Sequence, residues 1–217
     1  MKISDVFSML TSIYIDWHGY LANPKYCRNE NEITWSNCDQ FRVSEIVSLD
    51  EFIDLVDRKQ YSYQIADDGA IVQLYYLFNQ SGDELQEAHL AYFRAIQDDL
   101  FGDLSDDAEM ELSYSPISWL RVDYEPALAR GVLHSECHLH VGGFPNARFI
   151  VDSVPTPKQF MEFIMALCYQ DIYQEHRLRE DYEYANNDKI VDINRPTIET
   201  MERPFFRHMT HLRVPKS

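Results

Sequence analysis

The feature that most constrains the fold is a series of short β-strand patterns that begins at residue 61. The strand segments are 61–66, 70–78, 84–94, 119–124, 133–141 and 148–151. Asp68-Gly69 is a strong hairpin signal, and Ser81-Gly82-Asp83 and segment 142–146 also favour turns. Successive strands with short connections pair antiparallel, because parallel strands need long crossover segments. The pattern predicts an antiparallel sheet of about five or six strands.

Helical patterns flank these strands. Apolar residues recur at three- and four-residue spacing over 3–21, and a capping box at 48–51 predicts a helix at 49–58. A third helix begins at Pro157, and its charged continuation reaches about residue 184. With the helices packed on one face of the sheet, the sequence predicts an α+β fold.

These patterns divide the chain of 217 residues into three segments. We expect an N-terminal helical segment at 1–59, an α+β core at 60–175, and a charged helix continuation with a basic C-terminal tail at 176–217. A chain of this length buries roughly 70% of its unfolded surface, which excludes intrinsic disorder for most of it.

Charge is distributed unevenly along this acidic chain. It has 19 Lys and Arg against 36 Asp and Glu, a formal net charge of −17. Segment 97–111 has seven acidic residues and no Lys or Arg, whereas 203–217 has four basic residues and no acid. An acidic body repels nucleic acids and anionic membranes except at a local basic patch. The acidic segment suits either a solvated loop or a docking segment for a basic partner, and the basic tail can dock on the chain itself or on a neighbour. We therefore expect a protein partner or a second copy of the chain.

The sequence lacks the common signatures of nucleotide-binding and hydrolytic sites. Glycine is scarce, at 7 residues, and no dinucleotide-binding, P-loop, G-x-S-x-G or H-E-x-x-H motif is present. No apolar run is long enough for a transmembrane helix, and the four cysteines form no C-x-x-C pair. We expect a cytoplasmic protein with reduced thiols and no membrane association.

The most informative segment is His134-Ser-Glu136-Cys-His138-Leu-His140. Side chains of a strand alternate between faces, so its three histidines and Glu136 point to the same side. If this strand pairs with its two sequence neighbours as a meander, Arg121, Asp123 and Arg148 join that face. We expect this face to be polar and solvated, and the opposite face to be apolar and covered by the third helix.

Three interpretations of this face stay open. The first is structural: a hydrogen-bonded polar face with cross-strand ion pairs, such as Arg121 with Glu136. The second is a metal site, because two histidines at i and i+2 of a strand, His138 and His140, can share one ion. Glu136 or His134 would then be the third ligand. The third is metal-free catalysis on a phosphodiester or a similar anion.

In the catalytic interpretation the polar side chains take separate roles. The histidines of the H-x-H pair act as base and acid, and Arg121 or Arg148 stabilises developing negative charge. Asp123 or Glu136 orients a histidine and sets its tautomer. We expect no cofactor, since the pattern favours this chemistry over a divalent ion at the histidine strand. The candidate catalytic residues are His138, His140, Glu136, Arg121, Asp123 and Arg148.

Several short motifs resemble those of a known family. In chain order they are Leu120-Arg121-Val-Asp123-Tyr124-Glu-Pro126, His138-Leu-His140-Val-Gly142, Arg148-Phe-Ile and Pro157-x-x-Phe160-x-x-Phe163-Ile164. Over roughly residues 60–175 the chain resembles an uncharacterised bacterial and archaeal family of unknown function, whose members often lie near phage-defence or mobile-element genes. A weaker similarity, R-x-D followed by H-x-H, links it to small toxin-like proteins of toxin–antitoxin pairs.

The resemblance implies a role in bacterial defence and supplies no catalytic residues. Together with the histidine strand, it favours a defence or toxin-like effector that acts as a metal-independent hydrolase on RNA or a nucleotide. The alternative is a non-catalytic subunit that docks a larger defence ATPase or nuclease through the acidic segment and the basic tail. The expected protein partner is an antitoxin, a defence-complex subunit or a second copy of the chain.

Overall fold

Nine strands in the described part of the chain form one sheet. The computed structural model describes residues 1–36, 38, 48–95, 117–129, 135–142 and 148–186, with side chains up to residue 178. The helices are α1 (Ile3–Asp16), α2 (Leu49–Asp57), α3 (Pro157–Cys168) and α4 (Gln170–Asn186), with a short 3-10 helix at Pro126–Leu128. The strands are β1 (Leu21–Ala22), β2 (Tyr26–Asn29), β3 (Glu32–Trp35), β4 (Tyr63–Ile65), β5 (Ile71–Phe78), β6 (Leu85–Ala95), β7 (Ile117–Tyr124), β8 (Cys137–Val141) and β9 (Phe149–Ile150).

The strand pairing confirms the predicted α+β class with an antiparallel sheet. The order is β1-β4-β5-β6-β7-β8-β9, with β3 beside the second half of β5 and β2 outside β3. Gly69 has a φ of +74° in the turn between β4 and β5, as its hairpin signal predicts. The sheet has more strands than expected, because three short strands from the first 36 residues join it. Segment 1–59, predicted as helical, therefore also supplies part of the sheet.

One face of the sheet packs against α1 and α3. Leu74 of β5, Leu90 of β6 and Val122 of β7 point to this face and are at most 1% exposed. They belong to the same core as Leu10 of α1 and Phe160 of α3, which are fully buried. The period of two in the strands and the apolar stripes of the helices produce this core directly. The third predicted helix, α3, covers the apolar face of the strands, as the sequence predicts.

The second helix packs on the opposite face, over one end of the sheet. Its capping box is present: the Glu51 amide donates to Ser48 Oγ at 3.2 Å, and the Ser48 amide donates to Glu51 Oε2 at 3.1 Å. Phe52 joins an apolar cluster with five sheet residues, Ile71, Ala91, Phe93, Ile117 and Trp119. This cluster occupies the same face as the polar side of the histidine strand.

Two helices end earlier than the sequence predicts. The first, α1, stops at Asp16 rather than near residue 21, because the chain turns there and then pairs with β4. The third, α3, stops just before Tyr169, which separates it from α4. The Tyr169 hydroxyl donates to Asp68 Oδ2 at 2.8 Å and lies 2.9 Å from the Tyr92 hydroxyl. These contacts hold Tyr169 against the sheet, so the helix cannot continue straight through it.

Some predicted features lie outside the described residues. They are the acidic segment 97–111, His134 and the basic tail 203–217. Within the described ranges, none of the helices combines the length and the apolar character needed to cross a bilayer.

Replacing Phe160 by alanine tests the packing of α3 on the sheet. Phe160 is fully buried, and a core Phe→Ala change costs about 3–5 kcal/mol through lost transfer free energy and the cavity that remains. We expect urea unfolding to show a loss of that size. Leu167→Ala is the matched control, because this residue lies on the same helix and is 54% exposed, and its effect should stay within about 0.5 kcal/mol. Equal losses in both variants would contradict this packing.

Candidate active site on the polar face of the sheet

The strand register gathers five polar side chains on the sheet face opposite α1 and α3. Across β6, β7 and β8, His89 lies opposite Asp123, and Asp123 lies opposite His138. Arg121 and His140 form a pair two residues along the ladder, on the same face. We call His89, Arg121, Asp123, His138 and His140 the Asp123 cluster. The pairing of β7 with β8 and of β8 with β9 confirms the predicted meander.

The Asp123 carboxylate is the centre of this cluster. Its Oδ1 accepts a hydrogen bond from His89 Nδ1 at 2.8 Å, and its Oδ2 accepts one from Arg121 Nε at 2.8 Å. Oδ2 also lies 3.3 Å from His140 Nε2 and 3.9 Å from His138 Nε2. Burial raises the pKa of Asp123, but the bonds from His140 and His89 and the Arg121 charge outweigh it, and the net pKa falls well below its ordinary value. The carboxylate is therefore ionised, although the residue is only 4% exposed.

His89 bridges two carboxylates. While its Nδ1 donates to Asp123, its Nε2 lies 2.7 Å from Glu87 Oε1. Burial lowers the pKa of His89, but the hydrogen bonds to Asp123 and Glu87 raise it by more, so the net pKa is raised. Since a carboxylate only accepts, both ring nitrogens donate, which describes the imidazolium form. The Tyr75 ring stacks against this imidazole, with the two centroids 6.0 Å apart.

His138 is in a different protonation state. Its Nδ1 lies 3.2 Å from the carbonyl oxygen of Ser135, and because a carbonyl only accepts, Nδ1 carries the proton. Burial and the neighbouring His140 lower the pKa of His138 to about 4, so the ring is neutral at pH 7. Its Nε2 then has the lone pair, on the side that faces Asp123. The His140 ring stands edge-on to it, with centroids 4.7 Å apart.

Of the six candidate catalytic residues, four lie together in the structure and two lie outside the Asp123 cluster. The four on β7 and β8 belong to the Asp123 cluster. Glu136 is exposed just before β8, outside the cluster. Arg148 is exposed just before β9, and its charge contributes to the lowered pKa of His138. An ion pair joins Arg121 to Asp123 on its own strand, whereas the structural interpretation placed the partner acid at Glu136 across the ladder.

The cluster is buried, so the expectation of a solvated face is wrong. His138 is 1% exposed and His140 is 7% exposed. The side chains of the cluster pack against one another across β6, β7 and β8, and the Tyr75 ring stacks on His89. The Arg121 side chain is the most exposed member at 19%, which makes it the edge from which an anion would approach.

His89 is the main site residue that the sequence does not select. From the sequence it could either join the polar face or be exposed, and it is buried beside Asp123. The alternation of side chains along β6 could have placed His89 from the sequence. Leu90 and Tyr92 point into the apolar core, so His89 must point to the opposite face. The register of β6 against β7 was not predictable, because the long acidic connection gives no turn geometry.

Among the residues that the structure describes, two groups of side chains on this face could hold a metal ion. The ligand atoms of Asp123, His138 and His140 lie within 4.8 Å of one another. A second group, Glu87, His89 and Glu125, meets the same distance limit, but His89 there already donates from both nitrogens. The lone pair of His138 Nε2 makes the first group the better ligand set. The same neutral imidazole, beside an ionised carboxylate and a guanidinium, also suits proton transfer near an anion.

The raised pKa of His89 predicts a pH-dependent contribution to stability. A group that binds its proton more tightly when folded contributes fully below its unfolded-state pKa of about 6.5, and this contribution is lost as the pH rises through the folded-state pKa. We therefore expect His89→Gln to destabilise the protein more at about pH 5.5 than at about pH 9, as measured by urea unfolding. His18→Gln, at an exposed position, should change stability by less than about 0.5 kcal/mol at either pH. A His89→Gln effect that grows with pH would contradict the imidazolium assignment.

Comparison with known proteins places the chain in a family. No curated protein and no solved structure matched it. A family model described as an uncharacterized conserved protein (DUF2290) matches residues 20–209, which confirms the resemblance to an uncharacterised family and extends it beyond 60–175. Because the match takes in every strand of the sheet and the whole Asp123 cluster, the chain belongs to the DUF2290 family of uncharacterized conserved proteins.

Proposed function

We propose that the protein is a hydrolase that acts on a phosphodiester or a similar anionic group of an RNA or a nucleotide, with the Asp123 cluster as its active site. The observation that carries this proposal is the convergence of two imidazoles and a guanidinium on one ionised, buried carboxylate. Titratable groups with strongly shifted pKa values beside charge partners are typical of catalytic sites.

The side chains of the cluster have separate roles in the proposed hydrolysis. His138 is the base that activates the attacking water, because its Nε2 has the lone pair, and His140, whose Nε2 donates to Asp123 Oδ2, is the acid. Arg121 lies at the exposed edge, and together with Arg148 it would stabilise negative charge on the substrate. Asp123 holds the positions of His140 and Arg121, as the carboxylate of a hydrolase triad holds its histidine.

The proposed biological role is that of a defence or toxin-like effector in the bacterial cytoplasm. The similarity of Arg121-x-Asp123 and His138-x-His140 to toxin-like proteins supports this role. None of the four cysteines, all of them in the described ranges, forms a disulfide, which suits a reducing compartment.

An activity assay on purified protein tests the proposal. We expect the wild type to cleave mixed-sequence RNA or a nucleotide, and Arg121→Gln to lower the rate by at least about 100-fold, because one charge-stabilising donor is lost. Arg58→Gln is the control, since this arginine ends α2 with 45% of its side chain exposed and should leave the rate unchanged. Circular dichroism would show that both variants are folded. An inert wild type, or a fully active folded Arg121→Gln, would reject the hydrolase.

The segregation of charge along the sequence supports an alternative, a non-catalytic subunit that docks a larger ATPase or nuclease. The acidic segment 97–111 and the basic tail 203–217 would be its contact regions. Truncation after Glu202 should then lower oligomer mass or partner retention on a sizing column, with the remaining chain folded. Unchanged assembly of the truncated protein would reject this role for the tail.

A further inference from the structure

We propose that Asp123, His138 and His140 bind a first-row divalent transition-metal ion, through Asp123 Oδ2 and the Nε2 atoms of the two histidines. This proposal deepens the proposed function, because a metal-bound water would be the group that attacks the substrate. Metal binding itself can be measured without any activity, so the two proposals can fail separately.

The first support is the spacing of the three ligand atoms. Asp123 Oδ2 lies 3.3 Å from His140 Nε2 and 3.9 Å from His138 Nε2. With metal–ligand bonds of about 2.1 Å, two ligands of one ion lie at most about 4.2 Å apart, and about 3.0–3.4 Å in octahedral or tetrahedral geometry. One ion therefore fits between the carboxylate and each histidine after shifts of a few tenths of an ångström, and its binding releases to solvent the proton that His140 Nε2 donates to Asp123.

The second support is the orientation of His138. Its Nδ1–H donates to the backbone carbonyl of Ser135, which leaves Nε2 as the lone-pair nitrogen. A histidine that ligates a metal almost always donates its other ring N–H to a carbonyl or carboxylate, because this bond sets the tautomer and the ring orientation. The Nε2 lone pair faces Asp123 Oδ2 at 3.9 Å, so a cation between these two atoms would bind both of them.

The third support is the rigidity of the scaffold. The ligands come from the adjacent strands β7 and β8, where Asp123 and His138 are direct ladder partners and His140 follows two residues on. Two histidines and one carboxylate leave open coordination positions for water and substrate, as in catalytic zinc and non-haem iron sites. The hydrogen bonds from Arg121 and His89 to the same carboxylate orient it, as outer partners of ligating carboxylates do.

The positive charges beside the site define the ligand that would complete it. Arg121 already balances the charge of Asp123, so a divalent ion bound there makes the site electropositive. An electropositive site takes a hydroxide or an anionic group in the open positions. This is consistent with a phosphodiester substrate, and it differs from the metal-free chemistry that the sequence pattern favours.

Zinc titration of the full-length protein tests the site. After removal of metal with a chelator, we expect the wild type to bind one Zn²⁺ per chain in competition with a chromogenic chelator, and the Co²⁺ form to show the absorption bands of nitrogen and oxygen ligation. His140→Ala and the closer-sized His140→Gln should each weaken binding by at least about 100-fold, because a direct ligand is lost. Absence of binding by the folded wild type would overturn the proposal, whether or not the variants fold.

Two controls locate the ion. His18→Ala, at an exposed position in the turn after α1, should bind zinc like the wild type. His89→Gln separates the two candidate ligand groups: if zinc binding is lost in that variant and kept in His140→Gln, the ion belongs to Glu87, His89 and Glu125 and the proposal is wrong.

Activity measurements keep the metal site and the hydrolase distinguishable. RNA cleavage by the metal-free wild type, undiminished by chelator, would overturn the metal while supporting the hydrolase. Stoichiometric zinc binding with no cleavage of RNA or nucleotides would support the metal site and reject the hydrolase. Cleavage that requires added Zn²⁺, Mn²⁺ or Fe²⁺ would support both.

Discussion

The polar half of this structure depends on the ionised carboxylate of Asp123. A buried charge costs several kcal/mol in lost hydration unless opposite charges and hydrogen bonds offset it. Arg121 and His89 supply these bonds at 2.8 Å, and His89 is in turn held by Glu87. His89 and His138 differ in protonation state because their partners differ. His89 lies between two acids and is charged, whereas His138 lies beside a backbone carbonyl and is neutral.

The two faces of the sheet differ in the side chains that they carry. On one face, α1 and α3 complete a core with the apolar residues of β5 to β8. On the other face, the apolar cluster under α2 and the Asp123 cluster share the same strands. Gly142 directly follows β8, and its amide donates to the Trp119 carbonyl at 2.8 Å. A Cβ atom at position 142 would lie 3.1 Å from the Trp119 ring. A side chain at this position would therefore require Trp119 to shift by a few tenths of an ångström.

On the sheet face that α1 and α3 cover, a group of polar contacts around Tyr169 determines where α3 ends. Asp68 follows β4 in the hairpin turn, and it accepts from the Tyr169 hydroxyl and pairs with Arg94 at 2.7 Å. The Tyr92 hydroxyl completes this group from β6. Because Tyr169 is held by partners in the β4–β5 turn and on β6, the predicted single helix becomes two helices, α3 and α4.

The sequence by itself determined the local elements and the sides of the strands. The Asp68-Gly69 turn, the capping box of α2 and the H-x-H parity of β8 depend on residues within a few positions of one another, and local patterns encode such relations. Only the tertiary structure decided that His89 meets Asp123, 34 residues away, that the polar face is buried, and that His89 is charged while His138 is neutral. Register, burial and protonation are set by contacts between distant segments, because desolvation and charge pairing depend on the neighbours that folding brings together.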